Sequence, residues 1–102
     1  MGNNTRKIAL QRIETLNQIA RETVHTEPAY ARRYISLLRR IAQRTRTKIP
    51  PHIRRSFCRK CNTPLISGFN SHTRIRQTRE PHISTTCQYC GNITRIPIRS
   101  NT

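Results

Sequence analysis

Cys58-Arg59-Lys60-Cys61 and Cys87-Gln88-Tyr89-Cys90-Gly91 are the stretches whose reading decides the fold. Each sets two thiols apart by two residues, 25 residues separate the pairs, and together they use all four cysteines of the chain. At this spacing both sulfurs of a pair reach one ion from a tight turn, with nearby backbone N–H groups aimed at them. Two such knuckles complete a closed tetrahedral site, so the pattern predicts one structural zinc ion on Cys58, Cys61, Cys87 and Cys90. The spacer exceeds the usual run of about 15–20 residues, which leaves room for a β-hairpin. Gly91 supplies the permissive backbone that ends such a turn. Disulfides are disfavoured where thiols stay reduced. A redox pair needs a βαβ context that is missing here, and nothing nearby suggests the electron transfer of an iron–sulfur cluster.

Strands are expected around this frame. Residues 73–79 alternate as an edge strand does, residues 83–87 read as a second, and residues 91–98 as a third that ends at Pro97. Gly68 and Glu80-Pro81 mark turns. Upstream, Lys48-Ile49-Pro50-Pro51 stops a helix and starts a linker of polyproline character.

Two helices precede the linker. In the first, residues 4–26, the apolar positions Ile8, Ile13, Leu16, Ile19, Ala20 and Val24 form a helical stripe, capped by Asn3, Asn4 or Thr5. The second opens on Thr26 as N-cap, with Glu27 and Pro28 in its first turn. Tyr30, Tyr34, Leu37, Leu38, Ile41 and Ala42 mark its apolar face, and Arg32, Arg33, Arg39, Arg40, Arg44 and Arg46 cover the other side. So short a turn packs the two as an antiparallel hairpin. The expected fold is α+β, small and metal-bound: an N-terminal two-helix hairpin (1–47), a basic Pro-containing linker (48–56) and a C-terminal four-cysteine zinc ribbon of about three antiparallel strands (57–102). Two helices make a thin core, so part of their apolar surface is expected to meet another chain.

The charge is lopsided. Twenty Lys and Arg face four acids, a formal net charge of +16, and a zinc–thiolate centre removes only about two of these. Such a density calls for an anionic partner: nucleic acid, an anionic membrane or an acidic protein. Only Lys7, Lys48 and Lys60 are lysine. The arginine bias favours bidentate phosphate contacts and base stacking, hence nucleic acid. No acid occurs between Glu27 and Glu80, so the second helix, the linker with Arg54 and Arg55, and the first knuckle form one basic region. On the ribbon Arg74, Arg76, Arg79, Arg95 and Arg99 join Lys60, and Arg74 and Arg76 share a sheet face. Tyr89 either stacks on a base or covers the metal site. No stretch has the length and apolarity of a membrane span and no signal pattern is present. The chain therefore reads as intracellular.

Catalytic chemistry is hard to assemble from these residues. His25, His52, His72 and His82 are not needed by a metal already saturated with sulfur. The four glutamates are scattered, a two-metal nuclease wants them clustered, and a closed four-sulfur zinc leaves no open position.

Several blocks resemble the ribonuclease P protein component 4 family. They are Ala31-Arg32-Arg33-Tyr34, Arg39-Arg40-Ile41-Ala42, Ile49-Pro50, Arg54 through Ile66 around Phe57-Cys58-Arg59-Lys60-Cys61-Asn62-Thr63-Pro64-Leu65, then Thr85 through Gly91 and Arg95-Ile96-Pro97. The resemblance implies a non-catalytic, RNA-binding subunit of ribonuclease P, whose RNA removes the 5′ leader of precursor tRNA. It implies zinc on the four cysteines and RNA-facing residues among Arg54, Arg55, Lys60, Arg74, Arg76, Arg95 and Arg99. The implied partners are the specificity domain of the ribonuclease P RNA and a second protein subunit, component 1, met through Ile13, Leu16, Tyr34, Leu37 and Ile41. Precursor tRNA is met indirectly, no membrane is involved, and the compact length fits a cytoplasmic, archaeal-type member. The alternative is a zinc-ribbon ribosomal or transcription-associated nucleic-acid-binding protein.

Overall fold

A computed structural model describes residues 3–77 and 80–97. Three helices lead into one sheet: α1 (Asn3–Thr23), α2 (Pro28–Thr45), α3 (Pro51–Arg54), β1 (Ser71–Arg76), β2 (His82–Cys87) and β3 (Ile93–Pro97). The strands run antiparallel in the order β1-β2-β3. The helical hairpin and the three-stranded ribbon are those expected from the sequence, and β1–β2 is the hairpin that fills the spacer between the knuckles.

α1 and α2 pack along Ala9, Ile13, Ala20 and Val24 on one side and Ala31, Ile35, Leu38 and Ala42 on the other, all buried. Each fully buried Ile, Leu or Val contributes about 1.5–3 kcal/mol. The alanines let the helices approach closely. This seam differs from the expected stripes by one helical position. Ile8 and Ile19 are exposed, and Ala9 takes the place expected of Ile8. In α2 the expected face splits. Leu38 and Ala42 go inward with Ala31 and Ile35, whereas Tyr30 and Leu37 remain exposed. A basic, alanine-containing helix offers two overlapping apolar stripes, and packing against α1 selected the one with the smaller side chains.

Ile13 requires a correction. It is fully buried in the α1–α2 seam, so it is no partner-facing residue; its burial is spent within the chain. The N-cap also differs. Glu27 occupies the cap position and makes no side-chain cap bond, while the Thr26 hydroxyl donates back to the Thr23 carbonyl at 3.3 Å. α1 is already helical at Asn3, so its cap lies outside the described residues. α2 ends on Arg46 in the left-handed region (φ 52°), where the Thr47 N–H reaches the Ala42 carbonyl at 2.9 Å.

The stretch read as a linker is partly helical. Pro51 opens α3 at the position where its missing N–H and fixed φ suit a helix start. This single turn buries Ile53, which joins Phe57 and the α1–α2 residues in one core, with Ile49 and Ile66 packed against it. Hydrogen bonds fasten the same junction. The Arg21 guanidinium donates to the Ser56 and Leu65 carbonyls (3.2 and 3.3 Å), and Arg39 donates to the Arg59 carbonyl and Asn62 Oδ1 (3.0 and 2.6 Å). Two helix arginines thus grip the first knuckle. Asn70 pins the turn before β1, accepting from the Ile66 N–H and donating to the Pro64 carbonyl, both at 2.7 Å.

Candidate metal centre and nucleic-acid interface

The two knuckles are built alike. The Asn62 N–H donates to the Cys58 carbonyl and the Gly91 N–H to the Cys87 carbonyl, each at 2.8 Å. The Cys58 N–H donates to the Thr63 carbonyl and the Cys87 N–H to the Asn92 carbonyl. The residue after each pair's second cysteine sits at positive φ, 66° for Asn62 and 79° for Gly91. Glycine adopts this region freely, and asparagine tolerates it better than most residues. Sequence reading picked out Gly91 alone; Asn62 directly after Cys61 was the matching signal.

These turns bring four free thiols together. All four Sγ atoms lie within 4.8 Å of one another, with Cys58 to Cys90 at 3.5 Å and Cys61 to Cys87 at 3.6 Å. Four sulfurs about 2.3 Å from one ion form a tetrahedron with edges of about 3.8 Å, whereas a disulfide needs about 2.05 Å. The donor set therefore fits a four-coordinate metal ion. Burial pushes the Cys58 thiol above its usual value and the Cys87 thiol up to about 12, although two backbone N–H groups aim at each sulfur. Burial also acts on Cys61, but the Thr63 hydroxyl at 3.0 Å and the Thr63 N–H outweigh it and bring that thiol down to about 7.

Tyr89 does not lie free. The Arg32 guanidinium of α2 sits 4.2 Å from its ring centroid, so the second knuckle is held to the helices as the first is.

The ribbon carries two basic faces. On the open face, β1 supplies His72, Arg74 and Arg76, β2 supplies His82, Ser84 and Thr86, and β3 supplies Ile93 and Arg95, around a shallow concavity of about 670 Å³. Arg74, Ser84 and Arg95 form one cross-strand row. Arg74 Nε donates to His72 Nε2 at 2.9 Å. His72 and His82 belong to this face, although their types alone did not mark them for it.

On the opposite face, Arg54, Arg55 and Arg59 rim a recess with Arg95. Lys60 and Arg59 line a third depression, again with Arg95. The structure thus places six of the seven expected RNA-facing residues along three depressions of the ribbon and its first knuckle, Arg74 and Arg76 on β1 and the others beside β3, with Arg95 shared among all three. Arg99, like Arg79, lies outside the described residues. Arg59 is an addition; the sequence placed it only within the basic region that includes the first knuckle.

The expected partner-facing set lies on the helices. Leu37 is exposed, and Leu16, Tyr34 and Ile41 are half-buried beside the core. Among the described residues no helix is long and apolar enough to cross a membrane.

The family described as "RNAse P Rpr2/Rpp21/SNM1 subunit domain" matches residues 12–91. The chain belongs to this family. Ribonuclease P protein component 4 of Methanopyrus kandleri is 52% identical over 92 residues, covering 90% of this chain and 72% of that protein. The Methanocorpusculum labreanum protein of the same name is 38% identical over 101 residues, covering 99% and 92%. Among solved structures, a chain of a cryo-EM structure of archaeal ribonuclease P with mature tRNA superposes with a TM-score of 0.85 at 42% identity, covering 90% of this chain and 78% of that one. A solved chain described as Pfu Rpp21 gives a TM-score of 0.64 at 37% identity, covering 88% and 99%. As a member of the Rpr2/Rpp21/SNM1 family the chain is a ribonuclease P protein subunit, and the ribosomal or transcriptional alternative finds no support.

Proposed function

We propose that this subunit binds the ribonuclease P RNA with the ribbon and docks a second protein subunit, component 1, with the helices, while the RNA performs the removal of the 5′ leader from precursor tRNA. The observation that carries the RNA reading is the belt of Arg54, Arg55, Lys60, Arg74, Arg76 and Arg95 that reaches across the ribbon from β1 to β3, since among the described residues no carboxylate lines any of its three depressions. Guanidinium groups without acidic partners are available to phosphates. The specificity domain of that RNA is the proposed contact, and the cytoplasm the proposed compartment. The archaeal relative solved with mature tRNA supports an assembly that handles tRNA. Replacing both Arg74 and Arg76 by Ala is expected to weaken RNA binding at low salt by about tenfold or more and to reduce the slope of log K against log salt by about two. Filter binding across a salt series measures both; an unchanged slope would remove these arginines from the interface.

The proposed metal is a single zinc ion. Four thiolates in a closed tetrahedral set suit zinc or iron, and the site has no neighbouring redox partner. It serves the fold, because cysteine takes all four positions and leaves none open for catalysis. Elemental analysis of the purified chain is expected to find one zinc per chain; iron would overturn the assignment. Metal affinity is expected to fall steeply with acid. Cys58 and Cys87 have raised thiol values in the metal-free chain, so both are protonated at neutral pH and must release protons on binding. Lowering the pH by one unit then weakens zinc by at least about 100-fold, and by more below neutrality, where the Cys61 thiol at about 7 also takes up its proton. Competition with a chromophoric chelator between about pH 6 and 8 tests the sign and the slope.

A further inference from the structure

We propose that the recess between the first knuckle, α3 and the inner face of β2 and β3 holds one unstacked base from a single-stranded segment of RNA. The proposal rests on the RNA-binding reading and adds the form of RNA that this site takes.

The recess differs in kind from the open face. Its floor is apolar, made by Leu65, Ile96 and Pro97. Its wall is the cross-strand pair Thr85 and Thr94. Its rim is cationic, with Arg54, Arg55, Arg59 and Arg95, and among the described residues no carboxylate lines it. The volume is about 160 Å³. That falls below the roughly 300 Å³ of the smallest ordinary small-molecule sites and equals about five waters. It suits one flat ring system rather than a whole ligand.

The combination selects the occupant. A free anion would use the arginines and leave the apolar slot unfilled. An acidic peptide would satisfy the rim in the same way, with no flat group to place on Leu65 and Ile96. A duplex offers its phosphates but keeps its bases stacked inside. An unpaired nucleotide supplies both groups at once: a π-face for the floor and the guanidinium planes, and phosphates on either side for the rim. The threonine hydroxyls donate or accept, so they satisfy the edge of any base without reading its identity. The shared Arg95 joins this slot to the open face, which lets one strand pass from the slot across the β3 edge to Arg74.

The test uses the full zinc-loaded chain, a short single-stranded oligoribonucleotide, and a blunt duplex of the same sequence. Thr94→Phe fills the slot and keeps every arginine. It is expected to weaken single-strand binding by about tenfold, the loss of one stacked base, without changing the salt slope or the affinity for duplex. Unchanged single-strand affinity overturns the proposal, and so does an equal loss on duplex. A parent chain that binds neither RNA overturns the RNA reading itself and the slot with it. A second measurement avoids any folding defect in the variant: 4-thiouridine in the single strand is expected to cross-link the unaltered chain at Leu65 or residues 94–96. Cross-links confined to β1 overturn the slot while leaving RNA binding by the open face in place.

Discussion

Stripping the metal, or replacing Cys87 by Ser, is expected to abolish the sheet. Cys87 ends β2 and is fully buried, so it is both a strand residue and a ligand. The three strands have little else to hold them. Ile75 is 67% exposed and Ile93 46%, and only Ser71, Ser84 and Cys87 of the sheet are buried. A structural zinc contributes on the order of 10–16 kcal/mol in small modules, as much as the whole stability of an ordinary domain, about 5–15 kcal/mol. The sheet cannot replace that from its own apolar contacts. Hydrogen exchange followed by NMR should show the amides of residues 71–76 and 82–87 losing protection on chelation. The helices should respond second and less. Phe57 directly precedes Cys58 and belongs to the helical core, and Arg39 holds the Arg59 carbonyl and Asn62. Loss of the knuckle therefore loosens α2, while the α1–α2 seam itself contains no metal ligand. Sheet amides that stay protected without metal would sink this account. Loss of helix and sheet in one step would show a single cooperative unit.

The sequence was most legible where chemistry is local. Two thiols separated by two residues dictate a turn and a ligand pair wherever they stand, so the centre could be read without knowing the fold. Helix identities were equally plain from periodicity. What periodicity could not resolve was rotation. Tyr34, Leu37, Leu38 and Ile41 lie within one broad apolar arc, and only the approach of α1 decides that Leu38 turns inward while Leu37 faces out. The prolines at 50 and 51 read as a helix stop, but α2 already ends on Arg46 and they start α3 instead, which depends on Ile53 finding Phe57. The arginines were legible as a charge and not as individuals. Arg21, Arg32 and Arg39 hold the knuckles in place, whereas Arg74 and Arg95 stand on the open sheet face. Nothing in an arginine's own identity separates these roles; its distance from a folded carbonyl or ring does.

Leu37→Asp and Ile13→Ala are expected to fail in opposite ways, and the contrast tests the docking surface. Tyr30, Tyr34, Leu37 and Ile41 recur along α2 at helical spacing, and Ile8 and Ile19 lie exposed on α1. The knuckle contacts come from the other flank, through Arg21, Arg32 and Arg39. The apolar stripe of α2 therefore faces away from the ribbon. Side chains of this size, exposed at Tyr30 and Leu37 and half-buried at Tyr34 and Ile41, set in line on a small chain, mark an interaction surface. A charge at Leu37, which is 40% exposed and outside the core, should change folding by no more than about 0.5 kcal/mol. In an interface it buries an unpaired carboxylate, and at a central position this costs at least about 2 kcal/mol, or roughly thirtyfold in affinity. Ile13→Ala removes a fully buried side chain from the seam and should cost about 2–5 kcal/mol of stability. The remaining folded fraction should still bind the partner normally. Calorimetry of the proposed partner, component 1, titrated with each variant, alongside thermal melts of the variants alone, separates the two effects. If Leu37→Asp binds component 1 as the parent does, the stripe is not the docking face, and the RNA is the next candidate to cover it.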